Sequence, residues 1–201
     1  MKKLVPVLLV LAVACAGPAA ATGSERARGF AVGFGTTDAF HGERPGIAAS
    51  VSTWRRLARG TTWDTRLEYQ HVPEWDLHAG VLPANTIEGQ DRHAASDFVL
   101  LDTGIDLHVP VAVGLTPFVG LRAGAGWAAW GEKHGPLESA PWIELTEDPQ
   151  KGPVATFAVE LGLRVFAAAP WPSMRASLGL QEITSFQDHV PLFTIRLSAG
   201  Y

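Results

Sequence analysis

The segment TTWDTRLEYQH (61–71) places Trp63, Thr65, Leu67 and Tyr69 on one side and Asp64, Arg66, Glu68 and Gln70 on the other. A period of two is the repeat of a β-strand, whereas a helix would scatter these charges around its circumference. DFVLLDTGIDLHV (97–109) repeats the arrangement, with Val99, Leu101, Thr103, Ile105, Leu107 and Val109 opposed to Asp102, Gly104, Asp106 and His108. VATFAVELGLRVF (154–166) sets Phe157, Val159, Leu161, Leu163 and Val165 against Glu160, Gly162 and Arg164. Weaker versions occur at Phe30, Val32 and Phe34, at Ile47, Ala49 and Val51, from Val119 to Trp127, and at Ala176, Leu178 and Leu180. The chain ends in the same way, with Phe193, Ile195, Leu197 and Ala199 alternating with polar or small residues up to a terminal Tyr201. Eight strands are predicted, and no segment has convincing helical periodicity.

Alternation alone also describes a soluble antiparallel sheet with one wet face. Two further features favour a membrane-spanning barrel. Several segments run to about ten residues or more, the length of a tilted transmembrane strand. The connections also alternate: RRLARG, PVAVGLT and AAPWPS are short, whereas 71–95 and 131–153 are long. Short turns at one end and long loops at the other are the asymmetry of an outer-membrane barrel, with both termini on the periplasmic side when the strand number is even. Closure follows because hydrocarbon offers no hydrogen-bond partner to an open edge.

The amino terminus fits the export this requires. Lys2 and Lys3 precede the apolar run Leu4–Ala14, and Ala19-Ala20-Ala21 offers a signal-peptidase site, so residues 1–21 are predicted to be a cleaved signal peptide and 22–201 the barrel domain. That run is too short for a transmembrane helix. The single cysteine, Cys15, falls inside the leader, which leaves the predicted mature chain without a thiol; a second reading makes Cys15 a lipidated first residue. Loss of the two lysines makes the formal charge more acidic than its value of −4, which argues against a nucleic-acid partner.

The whole predicted mature chain resembles the small eight-stranded outer-membrane β-barrels of Gram-negative bacteria, the group of outer-membrane proteins A, X and W. Phe193, Ile195, Leu197 and the terminal Tyr201 resemble their carboxy-terminal assembly signal. This resemblance implies recognition by the barrel-assembly machinery and residence among outer-membrane lipid and lipopolysaccharide.

The polar face of each strand should line the lumen, which then contains Asp64, Glu68, Asp102, Asp106 and Glu160 beside Arg66, Arg122, Arg164, Arg175 and Arg196. Five acids against five arginines predict a packed salt-bridge network, since an eight-stranded barrel is just wide enough for side chains to fill. Toward the outer mouth the same face becomes apolar at Phe98, Leu100 and Trp130, with Ile183 and Leu192 nearby. These residues form either a plug or a small hydrophobic pocket, as the likeness to the outer-membrane protein W family implies. GAGWAA (124–129) matches a dinucleotide fingerprint formally, but no helix follows it, and no cofactor is expected.

Six histidines fall in or near the predicted outer loops without a pairing that preorganises metal ligands, so no metal site is predicted. The loops carry more acids than bases, a surface able to share divalent cations with lipopolysaccharide phosphates. PFVGLRAGAGWAAW (117–130) also resembles a strand of the lipid A 3-O-deacylases. That family's His-x-Ser pair is absent, and Ser185, Asp188 and His189 supply only the residue types of a hydrolytic triad. The sequence therefore points to a non-catalytic membrane scaffold with outward loops. Binding or passage of a hydrophobic ligand and lipid hydrolysis are the alternatives.

Overall fold

In the computed structural model the described residues are 28–39, 44–58, 60–78, 90–109, 115–137, 140–165, 172–185 and 189–200. The predicted leader, Cys15, Asp188 and Tyr201 lie outside them. Eight antiparallel strands close into a barrel: β1 (Arg28–Ala39), β2 (Gly46–Ala58), β3 (Thr61–Val72), β6 (Ser96–His108), β7 (Leu115–Ala129), β10 (Lys151–Val165), β11 (Ser173–Thr184) and β12 (His189–Gly200). Neighbours in sequence pair in space, and β1 pairs with β12 from Ala31↔Gly200 to Ala39↔Leu192, so neither terminal strand leaves a free edge.

Both terminal strand ends share one rim with the connections β2–β3, β6–β7 and β10–β11. The β2–β3 turn passes through Gly60, whose φ of 81° favours glycine. Its carbonyl accepts a 2.7 Å hydrogen bond from the His108 amide. This is the periplasmic rim in the predicted orientation.

The opposite end departs from expectation. The long connections contain four further strands, β4 (Trp75–His78), β5 (Gln90–His93), β8 (Lys133–Leu137) and β9 (Ala140–Glu147). They form a separate four-stranded sheet in the order β4-β5-β8-β9, joined at its centre by Arg92↔His134 and His93↔Lys133. A prediction of eight strands joined by loops therefore understates the outer end. Its strands are short, mix Asp, His, Arg and Pro, and lack an apolar stripe that would announce them.

Burial along the barrel strands is inside out relative to a soluble protein. On β6, Leu101 is 56% exposed and its neighbour Leu100 is 0% exposed; Asp102 and Asp106 are buried, whereas Leu107 is exposed. Leu161 on β10, Leu178 on β11 and Leu197 on β12 also face outward. Acids and arginines fill the interior while leucine, isoleucine, valine and phenylalanine cover the exterior. In water such a surface would expose apolar area far beyond the few hundred Å² usual for a monomer, whereas hydrocarbon is the solvent that suits it. Among the described residues no helix is long and apolar enough to cross a membrane.

Candidate functional site

The interior is layered along the barrel axis, and strand parity sets each layer. Its middle is a lattice centred on Glu160 of β10. Arg66 of β3 holds both Glu160 oxygens, Nη1 to Oε1 at 2.8 Å and Nη2 to Oε2 at 3.1 Å. Arg175 reaches Glu160 at 2.7 Å, Arg122 at 3.1 Å and Arg196 at 3.3 Å. Arg122 also bridges Asp64 at 3.0 Å and Asp106 at 2.9 Å, while Arg175 bridges the same two aspartates at 3.1 and 2.8 Å. Arg196 donates from Nε to Glu68 at 2.8 Å and from Nη2 to Gln181 at 2.7 Å.

These contacts connect walls far apart in sequence and share charge between several partners. A buried ion deprived of its partner costs several kcal/mol, so the lattice is stabilising only as a connected unit. Small residues make the room it needs. A Cβ added at Gly162 would lie 2.6 Å from two ring carbons of Phe118, the ring over which the Arg175 guanidinium stacks at 4.1 Å.

All five arginines find carboxylates, but the expected pairing of all five acids is incomplete. Asp102 is buried, its Oδ1 has no hydrogen-bond partner, and it makes no ion pair among the described residues. Its short side chain stays near the wall beside Gly124, where an added Cβ would come within 2.5 Å of Oδ1. Arg164 lies toward the periplasmic rim, 3.8 Å from Asp106 and 5.3 Å over the Trp54 ring.

Outward of the charges is an amide and hydroxyl layer. Gln70 Nε2 donates to Gln181 Oε1 at 2.8 Å, and Gln181 Nε2 donates to Thr156 at 3.0 Å. An apolar cluster follows, including Phe98, Leu100, Trp130, Ile183, Val190 and Leu192. Phe98 and Trp130 meet edge to face, with ring centroids 5.1 Å apart. The geometry is that of an attractive aromatic pair, and Phe98 and Leu100 are fully buried.

The fold is a closed eight-stranded antiparallel β-barrel. Solved outer-membrane proteins are similar to the chain at low sequence identity. Neisserial surface protein A is 13% identical, with 86% of this chain and 92% of that chain covered and a TM-score of 0.47. The attachment invasion locus protein Ail of Yersinia pestis is 12% identical, with 88% and 99% covered and a TM-score of 0.48. The amino-terminal barrel domain of Pseudomonas aeruginosa OprF is 13% identical, with 86% and 97% covered and a TM-score of 0.42. Neither a protein-family model nor a curated protein matches the sequence.

The His189 ring pairs through Nδ1 with Glu182 Oε1 at 2.9 Å, both on exposed positions, and Asp188 lies outside the described residues. At the outer rim of β3 and β6, Asp97 Oδ1 accepts from the Tyr69 hydroxyl at 2.7 Å and lies 2.9 Å from His71 Nδ1. Sequence periodicity gave no sign of this Tyr-Asp-His cluster, because it forms between neighbouring strands. No group of three His, Cys, Asp or Glu residues able to hold a metal occurs among the described residues.

Proposed function

We propose that the protein is a non-catalytic, closed outer-membrane scaffold whose two long loops present an interaction surface outside the cell. The filled lumen carries this reading: the Arg–carboxylate lattice, the glutamine layer and the apolar cluster block the axis in succession. An eight-stranded wall leaves no room for a water channel beside them. The loop sheet is attached closely to the barrel, with the Ala94 amide donating to the Glu132 carbonyl and Gly131 donating to Ser96 Oγ. It can therefore transmit a fixed orientation from the membrane to the exterior.

Glu74, Asp76, Asp91, Glu132, Glu144, Glu147 and Asp148 outnumber Arg92, Lys133 and Lys151 across this outer region. We assign it contact with lipopolysaccharide through shared divalent cations. Signal-peptide cleavage after Ala21 and delivery by the barrel-assembly machinery complete the reading.

Purified protein in planar bilayers should give no channel conductance while retaining a heat-modifiable gel band and a strand-dominated circular dichroism spectrum. On intact cells, protease should cleave within 75–93 or 133–147 and leave the barrel intact. Steady conductance in folded protein would overturn closure, and protection of both segments would overturn their exposure.

A further inference from the structure

The outer wall of the barrel has a charged feature that neither the lumen lattice nor the loop sheet uses. Arg28 of β1 and Arg55 of β2 lie directly opposite each other near the periplasmic rim, and both side chains are exposed. Arg28 shares its outward face with Phe30, Val32 and Phe34, and Arg55 shares its own with Ile47, Val51 and Thr53. Residues opposed on one face of a ladder have Cβ atoms about 4.5–5.5 Å apart, and like charges placed there repel.

Among the described residues neither guanidinium has an ion-pair partner. The outward positions of β2, β3 and β12 carry no acid, and the outward acid of β1, Asp38, stands at the opposite rim beside Phe193. Asp64 lies on the inner side of the wall, where Arg122 and Arg175 hold it. Arg56 faces inward, opposite the buried Thr62. The Arg28–Arg55 pair is therefore an uncompensated cationic patch on the exterior, placed where the apolar stripes of β1 and β2 begin. Trp63 continues the row beyond Arg55, and it too is exposed. Aromatic residues ring a transmembrane barrel at its lipid–water boundaries, so the row Arg28–Arg55–Trp63 stands at headgroup depth.

We propose that Arg28 and Arg55 bind the phosphodiester of an anionic phospholipid of the phosphatidylglycerol type in the periplasmic leaflet. The site rests on the reading that the barrel spans the outer membrane with this rim toward the periplasm. Guanidinium forks match phosphate oxygens two at a time, and arginine stems can lie along apolar surface while their heads reach the interface. A zwitterionic head would bring its own ammonium toward the two guanidiniums, whereas a glycerol head adds no positive charge. The acyl chains would then run along Phe30, Val32 and Val51.

The test uses mature protein refolded into phosphatidylcholine vesicles that contain trace spin-labelled phosphatidylglycerol or, in a parallel arm, trace spin-labelled phosphatidylcholine, at constant ionic strength. Electron paramagnetic resonance reads the fraction of each probe immobilised on the protein. Wild type should hold phosphatidylglycerol severalfold better than phosphatidylcholine. The double variant Arg28→Gln/Arg55→Gln should bring the two probes to near equality, and each single variant should fall between. Arg56→Gln, which removes an inward cation of the same rim, should retain the preference. A heat-modifiable band and flotation with the vesicles establish that each protein is folded and inserted. Equal retention of both probes by inserted wild type would overturn the site and leave the barrel reading intact, as would a preference that survives in the double variant or is lost equally in Arg56→Gln. Refolded wild type that does not float with the vesicles would overturn the membrane reading and the lipid site with it.

Discussion

Arg66 and Asp102 face each other directly across the β3–β6 ladder, but the Arg66 guanidinium passes its neighbour and grips both oxygens of Glu160 on the far wall. Side-chain reach explains the choice. An arginine extends toward the axis of the narrow barrel, whereas Asp102 remains close to its own strand. The result is one acid shared by four arginines and another with no ion pair. Cross-strand register consequently does not identify the partners inside this lumen.

This difference predicts opposite responses to similar substitutions. Glu160→Gln leaves four guanidiniums short of charge and should destabilise the barrel by about 3–5 kcal/mol, the range for breaking a buried ion pair. Asp102→Asn removes a buried charge that has no close partner and should be neutral or stabilising. Urea unfolding followed by tryptophan fluorescence in vesicles compares them directly. Equal losses in the two variants would show that Asp102 is paired within the working lattice.

The residues also show where a sequence can be read and where it cannot. Strict alternation in β3, β6 and β10 was enough to separate Asp64, Arg66, Asp106 and Glu160 from Leu67, Ile105 and Leu161, because lipid and lumen impose opposite chemistry on successive positions. The outer sheet gave no comparable signal. Its strands, with Asp76, His78, Asp91, Arg92 and Pro136, do not separate a charged wall from a lipid wall. Partner choice was also inaccessible: the sequence supplied equal numbers of lumen acids and arginines, but their reach across the barrel left Asp102 out of the ion pairs.

The mouth residues provide a second test. Phe98 and Trp130 pack edge to face within a buried cluster, so truncating either should cost about 3–5 kcal/mol, as for other buried aromatic residues. In the plug interpretation Trp130→Ala also creates space, and an apolar fluorescent probe should bind the folded variant better than wild type. In the ligand-pocket interpretation the same variant should lose probe binding. A heat-shift gel run in parallel ensures that both proteins are barrels.

Leu100 and Leu101 separate the two solvents of the same strand. Leu101 is 56% exposed on the outward face, and Leu101→Arg should reduce folding stability in a bilayer by about 2–4 kcal/mol if it sits near the midplane. The same substitution in a detergent micelle, where the head can reach water more easily, should cost less. Comparing unfolding midpoints in vesicles and micelles checks the environment as well as the fold. Equal small losses in both would place Leu101 outside the hydrocarbon region.

The carboxy-terminal segment should affect delivery more than stability. Phe193, Ile195 and Leu197 face outward on β12, while β12 closes the barrel against β1. Tyr201 follows the last residue of that strand and lies outside the described residues. If the terminal aromatic is read by the barrel-assembly machinery, Tyr201→Ala should lower the outer-membrane amount severalfold in cells and leave spontaneous refolding into vesicles nearly unchanged. Leu197→Asn should impair both processes, because it also removes an apolar side chain from the lipid face. Membrane fractionation and refolding yield measure the two effects separately. A Tyr201→Ala protein that reaches the outer membrane normally would remove the terminal aromatic from the delivery signal and leave alternation of β12 as its remaining sequence feature.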